Sequence, residues 1–161
     1  MIEPQDLIEA FARNVGVIQM QAAGLSHADS LLQLPFRGNC LNWVIGHIID
    51  GRDEALAALG APPIFDSAST ERYRRTSEPV TSDGEHVLPL EELLSLLGQS
   101  QERIAATLGP LTEADLQRER GSGERVTTIG KYVFFRYFHE TYHVGQAELL
   151  RQLAGKNDAI I

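Results

Sequence analysis

FRYFHETYHVGQAELLRQLAG, residues 135–155, decides how this chain is read. It places His139 and His143 four residues apart in a run that otherwise reads as one amphipathic helix. Residues at i and i+4 lie one above the other on a helix face, so the two imidazoles can share one metal ion. Zinc and its relatives need three or four such donors. A third must therefore come from elsewhere, and the best candidate is His47, in LNWVIGHIIDGRDEALAALG at 41–60. The inward stripe of the C-terminal helix reads Ile129, Tyr132, Arg136, His139, His143, Gln146, Leu150, Leu153. It is polar in the middle and apolar at both ends. Polar groups in a row on a buried face cost several kcal/mol unless satisfied; a metal with its bound water would satisfy them, and so would a pocket open to solvent.

The rest of the chain supplies helices to bring these residues together. Leu7, Ile8, Phe11, Val15, Ile18 and Ala22 recur at helical spacing, which predicts a first helix from Pro4 to about Ala23. SHADS and LLQLPFRGNC read as loop and connector, with His27 a solvated loop histidine. Asn39 is the expected N-cap of a second helix through His47, stopped by Gly60 and the prolines after it. Gly51, one turn past His47, would leave room for a bound species, and Asp50 and Asp53 offer acceptors for imidazole N–H groups. Residues 61–88 form a long crossover rich in Ser, Thr, Pro and Asp, with a short helix near Thr70–Arg75 and His86 outside the site. Pro89 opens a third helix in which Gly98 marks a close approach. Thr112 with Asp115 reads as a capping box, and Thr127 or Thr128 caps the fourth helix, which ends near Ala154. No strand is expected. Four amphipathic helices with one long crossover predict an all-α four-helix bundle forming a single domain over 1–161, with its site built between facing helices.

Composition sets outer limits. A hydrophobic content of 43% supports a packed core, and 22% charged residues without a polar tract argue against disorder. The net charge is −8, with no basic cluster beyond Arg74–Arg75, which speaks against nucleic acid or an anionic membrane as partner. Cys40 is the lone cysteine, so no internal disulfide forms, as suits a reducing cytosol. It stands about 10 Å from His47 along the helix, too far to share a metal. The acidic N-terminal stretch lacks the pattern of a signal peptide, and no apolar run is long enough to span a bilayer. The expectation is a cytoplasmic protein.

HETYH also fits H-E-x-x-H, the zinc-peptidase helix, with Glu140 as general base. The context of that motif is missing. A metzincin would need histidine where Leu149 stands, and other zincins take a carboxylate from a later helix, for which too little chain remains after His143. Glu148 is too close on the same helix. A zinc peptidase is thus the weakest of the readings.

Asn-Trp-x-x-Gly-His at 42–47, with His-x-x-x-His-x-Gly-Gln at 139–146, resembles the DinB-like (YfiT-like) metalloenzymes in motif placement, length and helix order. The resemblance implies an up-up-down-down bundle, often homodimeric, with one divalent ion, zinc or nickel, on the equivalents of His47, His139 and His143. Relatives with assigned chemistry are thiol-handling enzymes, including bacillithiol S-transferases and mycothiol-dependent maleylpyruvate isomerases. The function implied is a metal-dependent transferase or isomerase acting with a low-molecular-weight thiol and an electrophilic substrate. In that scheme Glu140, Asp50 or Tyr142 would move protons. Arg136 would hold an anionic group or pair with a nearby acid, Gln146 would bond a ligand or the bundle interior, and Trp43 would be core or pocket wall. The competing class is a non-catalytic metal-binding or sensing bundle with the same three ligands. All-imidazole sites accept zinc, nickel, copper or iron, so the donors alone do not name the metal.

Overall fold

The computed structural model describes residues 3–160; Met1, Ile2 and Ile161, the ends of the expected 1–161 span, lie outside the described residues. Long helices α1 (Pro4–Ala22), α3 (Leu41–Leu59), α5 (Leu90–Leu108) and α7 (Ile129–Leu153) build the bundle. Short helices α2 (His27–Ser30), α4 (Ser67–Tyr73) and α6 (Glu113–Leu116) sit in the connections. The described residues are all-α apart from one two-residue antiparallel ribbon, β1 (Glu119–Arg120) with β2 (Thr127–Thr128), which leads into α7. Sequence patterning missed that ribbon because two residues carry no alternation to read. Among the described residues, no helix is long and apolar enough to cross a membrane.

Both α1 and α3 pack against α5 and α7, closing a four-membered ring. Cross-helix contacts fix the directions. His47 lies against His143 and Arg52 against Glu140, so α3 and α7 are antiparallel. Arg151 reaches the carbonyls of Gln21 and Ala23 at the end of α1, so α1 and α7 run parallel. Asn42 reaches the Leu88 carbonyl just before α5, so α3 and α5 start at the same end. The order is therefore up-down-down-up, and the up-up-down-down order implied by the resemblance is not the one observed. The reason is the crossover at 60–89. Parallel neighbours must return the full length of a 19-residue helix, about 28 Å, and the crossover, the longest of the connections, spans it.

Two apolar clusters fill the interior. One gathers Ile18, Ile45, Ile49, Leu93, Leu97 and Ala147; the other gathers Leu7, Phe11, Leu56, Ile104, Leu108 and Val133. Each long helix changes cluster partway along, and at the change it carries polar side chains: Asn14, Arg52, Ser100 with Gln101, and Glu140 with Thr141. Arg52, fully buried, binds them together. Its Nε and Nη2 donate to the two Glu140 carboxylate oxygens at 2.8 and 2.7 Å. Nη1 donates to Ser100 Oγ and Gln101 Oε1, and Nη2 to the Phe11 carbonyl. One guanidinium thus contacts all four long helices. Asn14 donates across the same layer to Thr141 Oγ1.

The helix ends follow their chemistry with small shifts. Pro4 stands in the first turn of α1, where a missing N–H leaves no bond unmade. The N-cap of α3 is Cys40 rather than Asn39, and no side chain bonds there. Gly60, at φ 80°, ends α3 in the left-handed conformation that glycine adopts without strain. Thr112 and Asp115 form the expected capping box, Thr128 caps α7 by accepting from Lys131 N, and α7 ends at Leu153. Ser26 and Asp29 make a second capping box, so SHADS is the turn of helix α2 and not a plain loop. His27 within it accepts from Leu90 N. The crossover is packed, with Phe65, Tyr73 and Val80 buried and Asp53 accepting from the N–H groups of Ile64 and Phe65.

Candidate metal centre

Tyr73, the last residue of α4, places the first imidazole. Its ring lies against the backbone of α3 at Gly46, where an added Cβ would sit 2.2 Å from the ring. Tyr73 Oη donates to Asn42 Oδ1 and accepts from Leu88 N. Asn42 and Gly46 therefore act by seating this tyrosine. Once seated, the Tyr73 carbonyl oxygen is 3.0 Å from His47 Nδ1. A carbonyl can only accept, so Nδ1 carries the proton and Nε2 keeps its lone pair free. Trp43 stacks on the same ring at 4.6 Å between centroids and anchors its own indole N–H on Ser77 Oγ.

Helix α7 supplies the other two rings. His143 Nδ1 lies 2.7 Å from Gln146 Oε1, again an acceptor, which leaves its Nε2 unprotonated. That Nε2 is 3.3 Å from His139 Nε2. One ring nitrogen from each of His47, His139 and His143 lies within 4.8 Å of the others. A tetrahedral ion with Zn–N bonds of about 2.0–2.1 Å holds its donors roughly 3.3 Å apart. The α7 pair has that spacing, so the donor set fits a divalent ion.

Burial sets the charge state of the cluster. It pulls the His47 pKa down to about 4, against the opposing pull of the Tyr73 carbonyl, with His143, His139 and Arg136 adding repulsion. Burial also lowers His143, and it lowers His139 with help from the charges on Arg136 and Arg75. The rings are neutral at neutral pH, the form in which imidazole binds metal. Asp50 moves the other way: burial and the neighbouring Asp53 raise its pKa to about 6.

Two cavities meet at the histidines. The larger, of about 480 Å³, is lined by Gly38, Asn39, Trp43, His47, Arg75, His139, Tyr142, His143 and Gln146. The smaller, of about 250 Å³, is lined by His47, Asp50, Glu54, Arg75, Phe135, Arg136 and His139. Trp43 is both buried and a wall of the larger space. Tyr142 stands at its mouth, 62% exposed.

Several sequence expectations are corrected by this geometry. Glu140 lines neither cavity; both its oxygens are held by Arg52, so its work is to neutralise a buried cation and not to act as a base. Asp53 clamps the crossover, and Asp50 lies 3.8 Å from His47 Nδ1, so neither accepts the imidazole N–H. Of the two roles expected for Arg136, the structure shows the pairing with an acid: it pairs with Glu54 and donates to Tyr132 Oη, itself bonded to Glu54. A Cβ at Gly98 would meet nothing within 4 Å, so it marks no close approach; the space around Gly51 is also open, but Gly51 lines neither cavity, so the room it leaves is not at the site. Cys40 is buried, with its thiol against the Val80 carbonyl, and His86 is exposed. Arg52 and Tyr73 were missed. Arg52 falls in the apolar stripe of Ile45, Ile49 and Leu56, and a cation in such a stripe signals a carboxylate across the bundle. Tyr73 gives no comparable signal, because what matters is its backbone carbonyl.

Comparison with known proteins agrees with this architecture. The profile of the DinB superfamily matches residues 10–147. The crystal structure of a conserved protein from Enterococcus faecalis superposes with a TM-score of 0.75 at 19% identity, over 97% of this chain and 100% of that one. At that identity the likeness concerns the fold. No curated protein sequence matches the chain.

Proposed function

The chain belongs to the DinB superfamily, and on that premise we propose a metalloenzyme that binds one zinc or nickel ion and activates a low-molecular-weight thiol toward an electrophile. The observation that carries this reading is the three-imidazole cluster at the floor of a 480 Å³ cavity, a size suited to a small molecule. His47, His139 and His143 would hold the ion. When bound, it would supply the Lewis acidity that makes a thiolate available near neutral pH. The protein's own residues do the rest. The Tyr73 carbonyl and Gln146 fix two ring orientations, and Trp43 keeps water from one side of the pocket. Asp50, with its pKa near 6, faces the smaller cavity and can accept a proton from that side. The Tyr142 hydroxyl serves the mouth of the larger one. A non-catalytic metal sensor would share the ligands, but it needs no substrate-sized space above them. The peptidase reading loses its base to Arg52.

Two measurements on untagged protein test the proposal. Elemental analysis should find about one divalent ion per chain. Metal-replete protein should then conjugate at least one of several small thiols to a chromogenic electrophile such as 1-chloro-2,4-dinitrobenzene. Protein that carries no metal sinks the proposal; full loading with no turnover leaves only the sensor reading.

The chain is also proposed to form a homodimer. Phe134, Phe135, Phe138, Tyr142 and Leu149 of α7 are 46 to 62% exposed. An exposed aromatic stripe of this kind commonly marks an interface. Sedimentation should show a dimer that Phe138→Lys weakens. A wild-type monomer at high concentration would refute the pairing.

A further inference from the structure

The two cavities that share the histidines differ in charge. No carboxylate lines the larger one; its only formal charge is Arg75. The smaller holds Asp50 and Glu54 beside Arg75 and Arg136. Neighbouring arginines are engaged: Arg136 with Glu54, Arg74 with Glu71, and Arg72 with the Glu78 carbonyl. Among the described residues Arg75 enters no ion pair and no side-chain hydrogen bond, although the chain carries a net charge of −8. Arg75 is exposed at the wall the two cavities share, it is the one formally charged side chain lining the larger, and its guanidinium is open to an anion entering from that side.

Its position is fixed from below. Arg75 follows Tyr73 by two residues, and Tyr73 is buried, seated on Gly46, and bonded through its carbonyl to His47. The element that orients the first imidazole therefore also sets where Arg75 begins. Arg75 lines both cavities together with His47 and His139, so its charge faces the cluster. Asn39 and Gln146 add uncharged polar lining to the same space.

We propose that Arg75 binds a carboxylate of the ligand that enters the larger cavity, so that the substrate class of this site is a small thiol bearing a carboxylate. This rests on the metal reading above and adds the second point of attachment. The sulfur end goes to the three-histidine floor, and the carboxylate goes to the guanidinium fork, which matches it with two parallel N–H···O bonds. A neutral or cationic thiol would leave Arg75 unpaired and meet it with no gain or with repulsion.

The test uses a reporter already in place. Trp43 is the only tryptophan, lines this cavity and stacks on His47, so ligand entry should change its fluorescence. Zinc-reconstituted wild type, R75Q and R75K are titrated with 3-mercaptopropionate, its methyl ester and cysteamine, and zinc content is measured on the same samples. Wild type should bind the acid about tenfold or more tighter than the ester, as one lost charge-assisted contact implies. R75Q should bind the two alike. R75K should keep part of the preference, having the charge without the fork. Equal zinc content in all three would show that the substitutions act on the ligand. Zinc-loaded R75Q that retains the full preference, or wild type that binds acid and ester equally, overturns the role of Arg75 and leaves the metal reading standing. Protein that takes up no zinc on reconstitution overturns both.

Discussion

Glu140→Ala is expected to destabilise the metal-free protein by about 3–5 kcal/mol, the usual effect of stripping one partner from a buried ion pair. Arg52 is fully buried, and Glu140 supplies the one carboxylate against it. Its other partners, Ser100, Gln101 and the Phe11 carbonyl, are neutral and cannot compensate the charge. The loss should appear as a lower urea midpoint with little change in slope, because the surface exposed on unfolding stays the same. Replacing both residues, Arg52→Met with Glu140→Leu, should recover most of it, since an apolar pair of similar size removes the demand for charge. A loss under about 1 kcal/mol for the single change would mean that this pair does not hold the polar layer together. The same protein separates structure from chemistry. Glu140→Gln should weaken folding yet leave metal content near that of wild type. A peptidase base would behave oppositely, with folding intact and hydrolysis gone.

His47→Ala is expected to lower metal affinity by at least about 100-fold. Outer-sphere changes alone remove 10- to 100-fold, and this change removes a donor. Two histidines on one helix turn would remain, a site any two-histidine surface can offer. A competitive chelator titration reads the effect, with circular dichroism confirming that the helices persist. If the variant keeps its full metal content, the shared three-ligand centre is wrong. The pH profile of the wild type follows from the same rings. Protons compete with metal only below each folded-state pKa, and His47 is held near about 4. An ordinary imidazole at about 6.5 would lose roughly tenfold in affinity by pH 5.5 through its own protonation. His47 should lose almost nothing there, and His139 and His143, lowered by burial, should lose less than the ordinary value. Affinity should therefore stay nearly flat from pH 7.5 to about 6.5 and decline more gently below that than three exposed histidines would allow.

The candidate ligands were legible because helical periodicity is a local rule. His139 and His143 share a face by spacing alone, and His47 falls on the inward side of its own helix for the same reason. The four long helices, most caps and the all-α class follow from the same short-range pattern. The roles of their neighbours were not legible. Glu140 is adjacent to His139 in sequence, yet one residue is about 100° around a helix, and that rotation turns it from the cavity to Arg52. The crossover looked like irregular loop because its composition is polar. Its ordering comes from three buried apolar side chains, Phe65, Tyr73 and Val80, and from Asp53, none of which forms a periodic pattern.

What the sequence determined by itself was the set of long helices, the face each turns inward, and which imidazoles are available to meet. What only the tertiary structure decided was helix direction, the proton position on His47, and the fate of each charge. Those depend on groups far apart along the chain: the Tyr73 carbonyl 26 residues from His47, and Glu140 88 residues from Arg52. A hydrogen bond or ion pair across such separations is fixed by packing, and residue spacing holds no record of it.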